Sequence, residues 1–129
     1  SIAMARRLRK MLGAGMRQAG IIAAPGIVAL DSMIGRLAED HSNARKLALG
    51  LSKMPGIEIN PDKLPTNLVF FTITSGDPFE IGRRLHRQGI LVSAERDVWR
   101  WVTHYGITSE DIDFALESMA EIMRDCAAV

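Results

Sequence analysis

Residues 1–20 carry five cations and no acid, all within Arg6-Arg7-Leu8-Arg9-Lys10-Met11-Leu12-Gly13-Ala14-Gly15-Met16-Arg17-Gln18-Ala19-Gly20. Leu8, Met11 and Leu12 recur at helical spacing while Arg6, Arg7, Arg9 and Lys10 crowd the remaining surface, so the stretch reads as a helix end presenting positive charge. Gly13 and Gly15 then stop it, and Arg17 arrives on new helix. Three uses fit such a stretch: a solvated basic helix end, a phosphate-binding patch for nucleic acid, or a glycine turn whose arginines hold a small carboxylate or phosphate. The nucleic-acid use usually adds aromatic or polar readers, and none stands here. A further cation of interest is Arg100, which alternation places on the same side of an apolar strand as Val98 and Val102. A guanidinium there is costly unless it faces an anion or reaches water, and the residues alone leave both uses open.

The elements that must position these groups can be read in order. Residues 1–12 read as a helix and residues 16–24 begin another, apolar nearly all round at Ile21, Ile22, Ala23 and Ala24, which implies burial against something large. Pro25 predicts a kink in a continuous helix. Ile27, Leu30, Ile34, Leu37, His41, Ala44, Ala48 and Leu51 then alternate steps of three and four, drawing one apolar seam to about residue 53, where Pro55-Gly56 ends it. His41 is expected to be half-buried and hydrogen-bonded rather than a metal ligand, with Glu39 and Asp40 turned away from the seam. Ile57-Glu58-Ile59 reads as a short strand, and Asn67 to Thr74, apolar on both faces, as a central one. Asp77-Pro78-Phe79-Glu80 opens a helix with Asp77 as cap and Glu80 reaching back, and Gly89 ends it. Ile90 to Ser93 and Val98 to Thr103 predict two strands joined as a hairpin through residues 94–97. Thr108-Ser109-Glu110-Asp111 caps a last helix with the stripe Ile112, Ala115, Leu116, Met119, Ile122, Met123 and Cys126. The order predicts an α+β fold: long N-terminal helices, then a small, largely antiparallel sheet covered by helices on one face.

Composition narrows the function. A net charge of +1 makes a general polyanion partner a poor match, the basic bias being local. Cys126 is the single cysteine, so there is no disulfide framework and no cysteine-based metal cluster, and a reducing, cytoplasmic setting fits. Pro25, Gly26 and Asp31 interrupt the best candidate for a membrane span, so no membrane partner is expected. The start at Ser1, in what reads as mid-helix, suggests a fragment or a processed end.

The Arg6–Gly20 stretch with its following Ile21-Ile22-Ala23-Ala24 closely resembles a segment of the low-specificity L-threonine aldolases, pyridoxal-phosphate lyases of the aspartate-aminotransferase fold type. Leu37-Ala38-Glu39-Asp40-His41, Thr66-Asn67-Leu68-Val69-Phe70-Phe71, Arg100-Trp101-Val102-Thr103-His104 and the Ile-Thr-x-Glu-Asp-Ile-Asp of residues 107–113 recur in the same order, covering nearly the whole chain. Ala14 stands where the family more often has a third glycine, and Pro25 where it usually has a small helix former. The resemblance implies a C-terminal portion, with residues 1–25 the tail of the large pyridoxal-phosphate domain and linking helix, and residues 26–129 the small domain. The whole enzyme it implies cleaves L-threonine or allo-threonine to glycine and acetaldehyde. Arg100 matches the arginine that clamps the substrate's α-carboxylate, a planar fork whose two bonds would fix the scissile bond relative to the cofactor ring. Arg17 falls on a substrate-side position and Lys10 on a cofactor-side one, reaching a neighbouring subunit. Thr66, Asn67 and His104 would be structural groups lining the cleft. The implied partners are the large domain, further copies in a dimer of dimers (a homotetramer), and a small amino acid.

The resemblance also says what these residues should not contain. The family's Schiff-base lysine, ring-stacking histidine and pyridine-nitrogen acid belong upstream, and none of Lys10, Lys46, Lys53 and Lys63 follows the cofactor-lysine context. No catalytic residue and no metal ligand is therefore assigned, and the chain alone is expected to be inactive. Two other readings remain: another β-eliminating lyase acting on tyrosine, tryptophan or a cysteine derivative, and a non-enzymatic module dimerising through the seam from Ile27 to Leu51. A nucleic-acid binder is a distant third.

Overall fold

The computed structural model describes residues 1–96 and 98–127, and its contacts fall into one unit spanning Ser1–Arg36 and a second beginning at Leu37. In the first unit, α1 (Ile2–Met11) places Arg9 and Lys10 in its last turn, where cations favour the negative end of the helix dipole. Gly13 then takes φ +78, a left-handed angle that glycine adopts without a Cβ clash. The next helix, α2 (Gly20–Val28), begins later than the spacing implied, so Arg17 lies in the turn before it rather than on it. Gln18 in that turn takes φ 51, a conformation costing an L side chain roughly 1–2 kcal/mol.

The helix runs through Pro25, as expected, and the irregularity follows a turn later. Ala29–Met33 is a π-helical segment and Ile34–Arg36 a 3-10 turn. Pro25 supplies no N–H to the turn before it, and Ser32 Oγ donates to Val28 O at 2.7 Å, competing with the backbone where the widened turn begins. None of these elements contains a buried residue; Ile21 is 80% exposed and Leu30 70%. Pro25, Gly26 and Asp31 do not interrupt the helical run Gly20–Leu51, whose 32 residues are, by length and composition, apolar enough to cross a membrane.

The second unit opens with α3 (Leu37–Leu51), which buries Asp40, Asn43, Ala44, Leu47, Ala48 and Leu51. That face is rotated from the expected seam: Ala44, Ala48 and Leu51 keep their places, but Leu37 and His41 are exposed and Asp40, expected to turn away, is buried. The helix is oriented by Leu47 and Leu51 in the core, and Asp40 thereby reaches the end of the sheet, where its carbonyl accepts from Thr103 Oγ1 at 2.6 Å.

The sheet is three-stranded and antiparallel, in the order β1 (Ile57–Glu58), β2 (Leu68–Ile73), β3 (Trp99–Val102). Its two faces differ. Val69, Phe71, Ile73, Trp99 and Trp101 point into the core with α3 and the two later helices. Phe71 stacks edge-on to Trp101 at 5.4 Å and tilts against Trp99 at 5.7 Å, aromatic contacts that each add about 0.5–1.5 kcal/mol to the area they bury. Phe70, Arg100 and Val102 face the other way and stay exposed, so the central strand is buried on one face, not both.

α4 (Pro78–Arg87) is capped by Asp77, whose Oδ1 accepts from Phe79 N at 3.0 Å. Glu80 does not reach back to the cap; it pairs with Arg83 at 2.7 Å and Arg87 at 3.2 Å, which hold its carboxyl below the usual range. α5 (Ser109–Ala127) starts from a reciprocal cap in which Asp111 Oδ2 accepts from Thr108 N at 2.8 Å and Thr108 Oγ1 accepts from Asp111 N at 3.2 Å. Arg84 with Asp125 ties α4 to α5, and Lys46 with Asp113, at 2.6 Å, ties α3 to α5.

One expected strand is missing. Among the described residues Ile90 to Ser93 has no strand partner: the Ile90 amide donates to Leu85 O at 3.0 Å, and His86 Nε2 lies against the Val92 backbone, 2.8 Å from its O and 3.2 Å from its N, bonding one or the other according to its tautomer. The expected hairpin is therefore an irregular segment leading into β3, and Asp97, the last residue of its connection, lies outside the described residues.

Candidate anion-binding cleft

Arg100 is placed by strand register. It lies opposite Phe70, one residue from the Phe71–Trp99 pair, so anchoring the aromatic core on one face of the sheet points its guanidinium to the other. The surroundings there are apolar and open: Phe70 is 44% exposed, Val98 50% and Val102 40%. Among the described residues Arg100 makes no ion pair or hydrogen bond, and β3 is an edge strand, leaving the fork free for a ligand.

Beside it opens a cleft of about 740 Å³ lined by Phe79, Ser93, Glu95, Arg96, Val98 and Arg100. Its wall is braced from the core. Trp99 Nε1, on a fully buried ring, donates to Glu95 O at 2.7 Å, and α4 approaches so closely at Gly82 that an added Cβ would stand 2.7 Å from Ala94 Cβ. Phe79, on the first turn of α4, lies beneath Arg96, whose guanidinium carbon is 5.7 Å from the ring centroid.

The end of β3 is held by a polar cluster. Thr103, fully buried, donates through Oγ1 to Asp40 O, accepts at its carbonyl from Asn67 Nδ2 at 2.5 Å, and donates its own N–H to Asn67 O at 3.1 Å. Asn43 Nδ2 donates to Ile107 O at 3.0 Å one turn further along α3. Asn67 therefore acts as a structural brace and does not line the cleft. Thr66 donates to Asn67 Oδ1 at 3.1 Å, and exposed His104 turns its Nδ1 to Tyr105 O at 2.8 Å; neither lines the cleft.

Lys10 and Arg17 belong to the first unit. Both are exposed, and the Lys10 side chain folds over Gly15, where an added Cβ would come within 2.9 Å of Nζ. That glycine gives the ammonium its place against the backbone turn. Reading the residues alone found Arg100 but missed Arg96, Glu95 and Phe79. Arg96 shares the even-numbered parity of Val98, Arg100 and Val102, a signal hidden when residues 94–97 are taken for a hairpin turn.

A family described as beta-eliminating lyase matches residues 1–74 of the chain. Low-specificity L-threonine aldolase 1 of Arabidopsis thaliana is 34% identical over 126 residues, 95% of this chain and 35% of that protein. The low specificity L-threonine aldolase of Escherichia coli strain K12 is 37% identical over 111 residues, 86% of this chain and 32% of that protein. Aldolase vrtJ of Penicillium aethiopicum is 32% identical over 124 residues, 92% of this chain and 30% of that protein. The chain thus spans about a third of the length of the curated relatives it matches.

Proposed function

We infer the function from one premise: the chain belongs to the beta-eliminating lyase family, whose description matches more than half of its residues. It is the C-terminal part of a threonine aldolase, and the whole protein splits a β-hydroxy-α-amino acid such as L-threonine or allo-threonine between its α and β carbons, giving glycine and an aldehyde. The relatives' names as threonine aldolases support that reading over a lyase acting on tyrosine, tryptophan or a cysteine derivative. The dimerisation module has less support, because three of the eight seam positions it needs, Ala44, Ala48 and Leu51, are spent in the second unit's own core.

The family implies pyridoxal phosphate, and these residues do not fit its covalent anchor. Lys10, Lys53 and Lys63 are exposed, Lys46 is engaged with Ser109 and Asp113, and no lysine lines the cleft beside Arg100. The cofactor's attachment lysine accordingly lies in another part of the protein, and these residues act on the substrate and at the rim of the site. Arg100 binds the α-carboxylate with two parallel N–H bonds and so fixes the direction in which the Cα–Cβ bond points. Arg17 contributes on the substrate side and Lys10 on the cofactor side, in a homo-oligomer whose subunits share the site. The exposed helix from Ile21 to Ile34 is covered by the rest of the protein rather than by lipid.

The observation that carries this reading is Arg100 itself: an exposed guanidinium on an apolar sheet face, with no counter-ion among the described residues. In the full-length enzyme, Arg100→Ala raises KM for L-threonine by roughly 10-fold to 100-fold, the loss of a charge-assisted pair, and Arg100→Lys recovers only part of it. An unchanged KM in Arg100→Ala removes the carboxylate-binding role.

A further inference from the structure

A threonine side chain ends in a methyl group and asks for one cation only, at its α-carboxylate, yet the cleft offers two. Arg96 stands over Phe79 and lines the same cavity as Arg100. We propose that the cleft takes a substrate with two carboxylates, a β-hydroxy-α-amino acid whose β-substituent is itself anionic, with Arg96 binding the second carboxylate. This rests on the reading of Arg100 as the α-carboxylate clamp.

Three features of the cleft support it. Arg96 is presented by a braced backbone: its neighbour Glu95 is fixed through its carbonyl to the buried Trp99 indole, Ala94 is wedged against Gly82, and its guanidinium carbon lies over the Phe79 ring at 5.7 Å. A guanidinium held in this way loses little freedom when it forms a bidentate pair. Phe79 and Val98 add apolar walls to the lining, against which a charged pair would form. Finally, among the described residues the lining sets two guanidiniums against one carboxylate, Glu95, so its own acid does not neutralise both arginines.

The reaction is unchanged in kind. The β-hydroxyl loses its proton as the C–O bond becomes a carbonyl, the Cα–Cβ pair moves to Cα, and Cα takes up a proton to give glycine. With β-hydroxyaspartate the β carbon leaves as glyoxylate, and no oxidant or reductant is needed.

The test compares kcat/KM for L-threo-β-hydroxyaspartate and L-threonine in the full-length protein. Wild type is expected to favour the dicarboxylate. Arg96→Ala lowers the hydroxyaspartate-to-threonine ratio by roughly tenfold or more, Arg96→Lys recovers part of it, and Glu95→Gln, which removes the opposing charge, raises it. The opposite responses of Arg96→Ala and Glu95→Gln separate a charge effect from a folding defect, because misfolding lowers both substrates together. A wild-type preference for threonine, or a ratio that neither substitution moves, overturns the second-carboxylate site. If that ratio stays fixed while Arg100→Ala impairs both substrates, the clamp survives and only this inference falls. If Arg100→Ala impairs neither, the clamp falls and the inference with it.

Discussion

The two tryptophans of β3 do different work although they sit two residues apart. Trp99 Nε1 has an acceptor in Glu95 O, whereas Trp101 Nε1 is buried with no hydrogen-bond partner among the described residues. An unsatisfied buried donor costs about 1–3 kcal/mol, and exchanging it for an apolar group of similar shape can be neutral. Trp101→Phe is therefore expected to change unfolding free energy by less than about 1 kcal/mol despite the lost ring volume. Trp99→Phe should cost about 1 kcal/mol or more and also loosen the segment that carries Arg96. Denaturant unfolding of both variants checks the pair, and a larger loss at Trp101 than at Trp99 contradicts it. At this scale the site was partly legible. Arg100 announced itself because a cation alternating with valines in an apolar strand needs a reason, while Thr103 gave no sign of its buried role, since its partners Asp40 and Asn67 come from distant parts of the chain.

Among the elements, α5 depends on its cap. The Thr108 amide first, and then its hydroxyl, hold the Asp111 carboxyl below the ordinary aspartate range. A carboxyl lowered in the folded state stabilises the fold above its unfolded value, and that contribution is lost as pH falls through the folded value. Asp111→Ala should thus reduce thermal stability at neutral pH, with the gap from wild type narrowing on acidification below the usual aspartate range; a gap that widens in acid refutes the assignment. Caps of this kind are why the helices after residue 77 could be read in advance, with Asp77-Pro78 and Thr108 through Asp111 punctuating the chain locally. The strand expected at Ile90 to Ser93 could not be read correctly, because its β-branched, apolar composition is that of a strand while the Ile90 amide turns back to Leu85 O and His86 sits against the Val92 backbone, contacts invisible to alternation. The same limit rotated α3: a seam counted in steps of three and four fits several neighbouring faces, and Leu47 in the core selected the one that buries Asp40.

As a whole molecule the chain is unequal. The unit that begins at Leu37 has its own aromatic core, while the unit Ser1–Arg36 buries no residue and exposes Ile21, Ile22, Ile27, Val28, Leu30 and Ile34. A contiguous apolar surface of that kind marks an interface, and the chain spans about a third of the length of the relatives it matches. The purified 129-residue polypeptide should therefore associate and bind an apolar dye. Ile27→Asp with Leu30→Asp removes two side chains whose burial is each worth about 1.5–3 kcal/mol, so association should weaken by roughly 100-fold or more in sedimentation equilibrium. The near-ultraviolet circular dichroism of Trp99 and Trp101 should remain, because both lie in the core of the second unit. A wild-type polypeptide that sediments as a monomer without binding dye would show that this surface is not an interface, and a lost tryptophan signal in the double variant would show that the second unit's core depends on it.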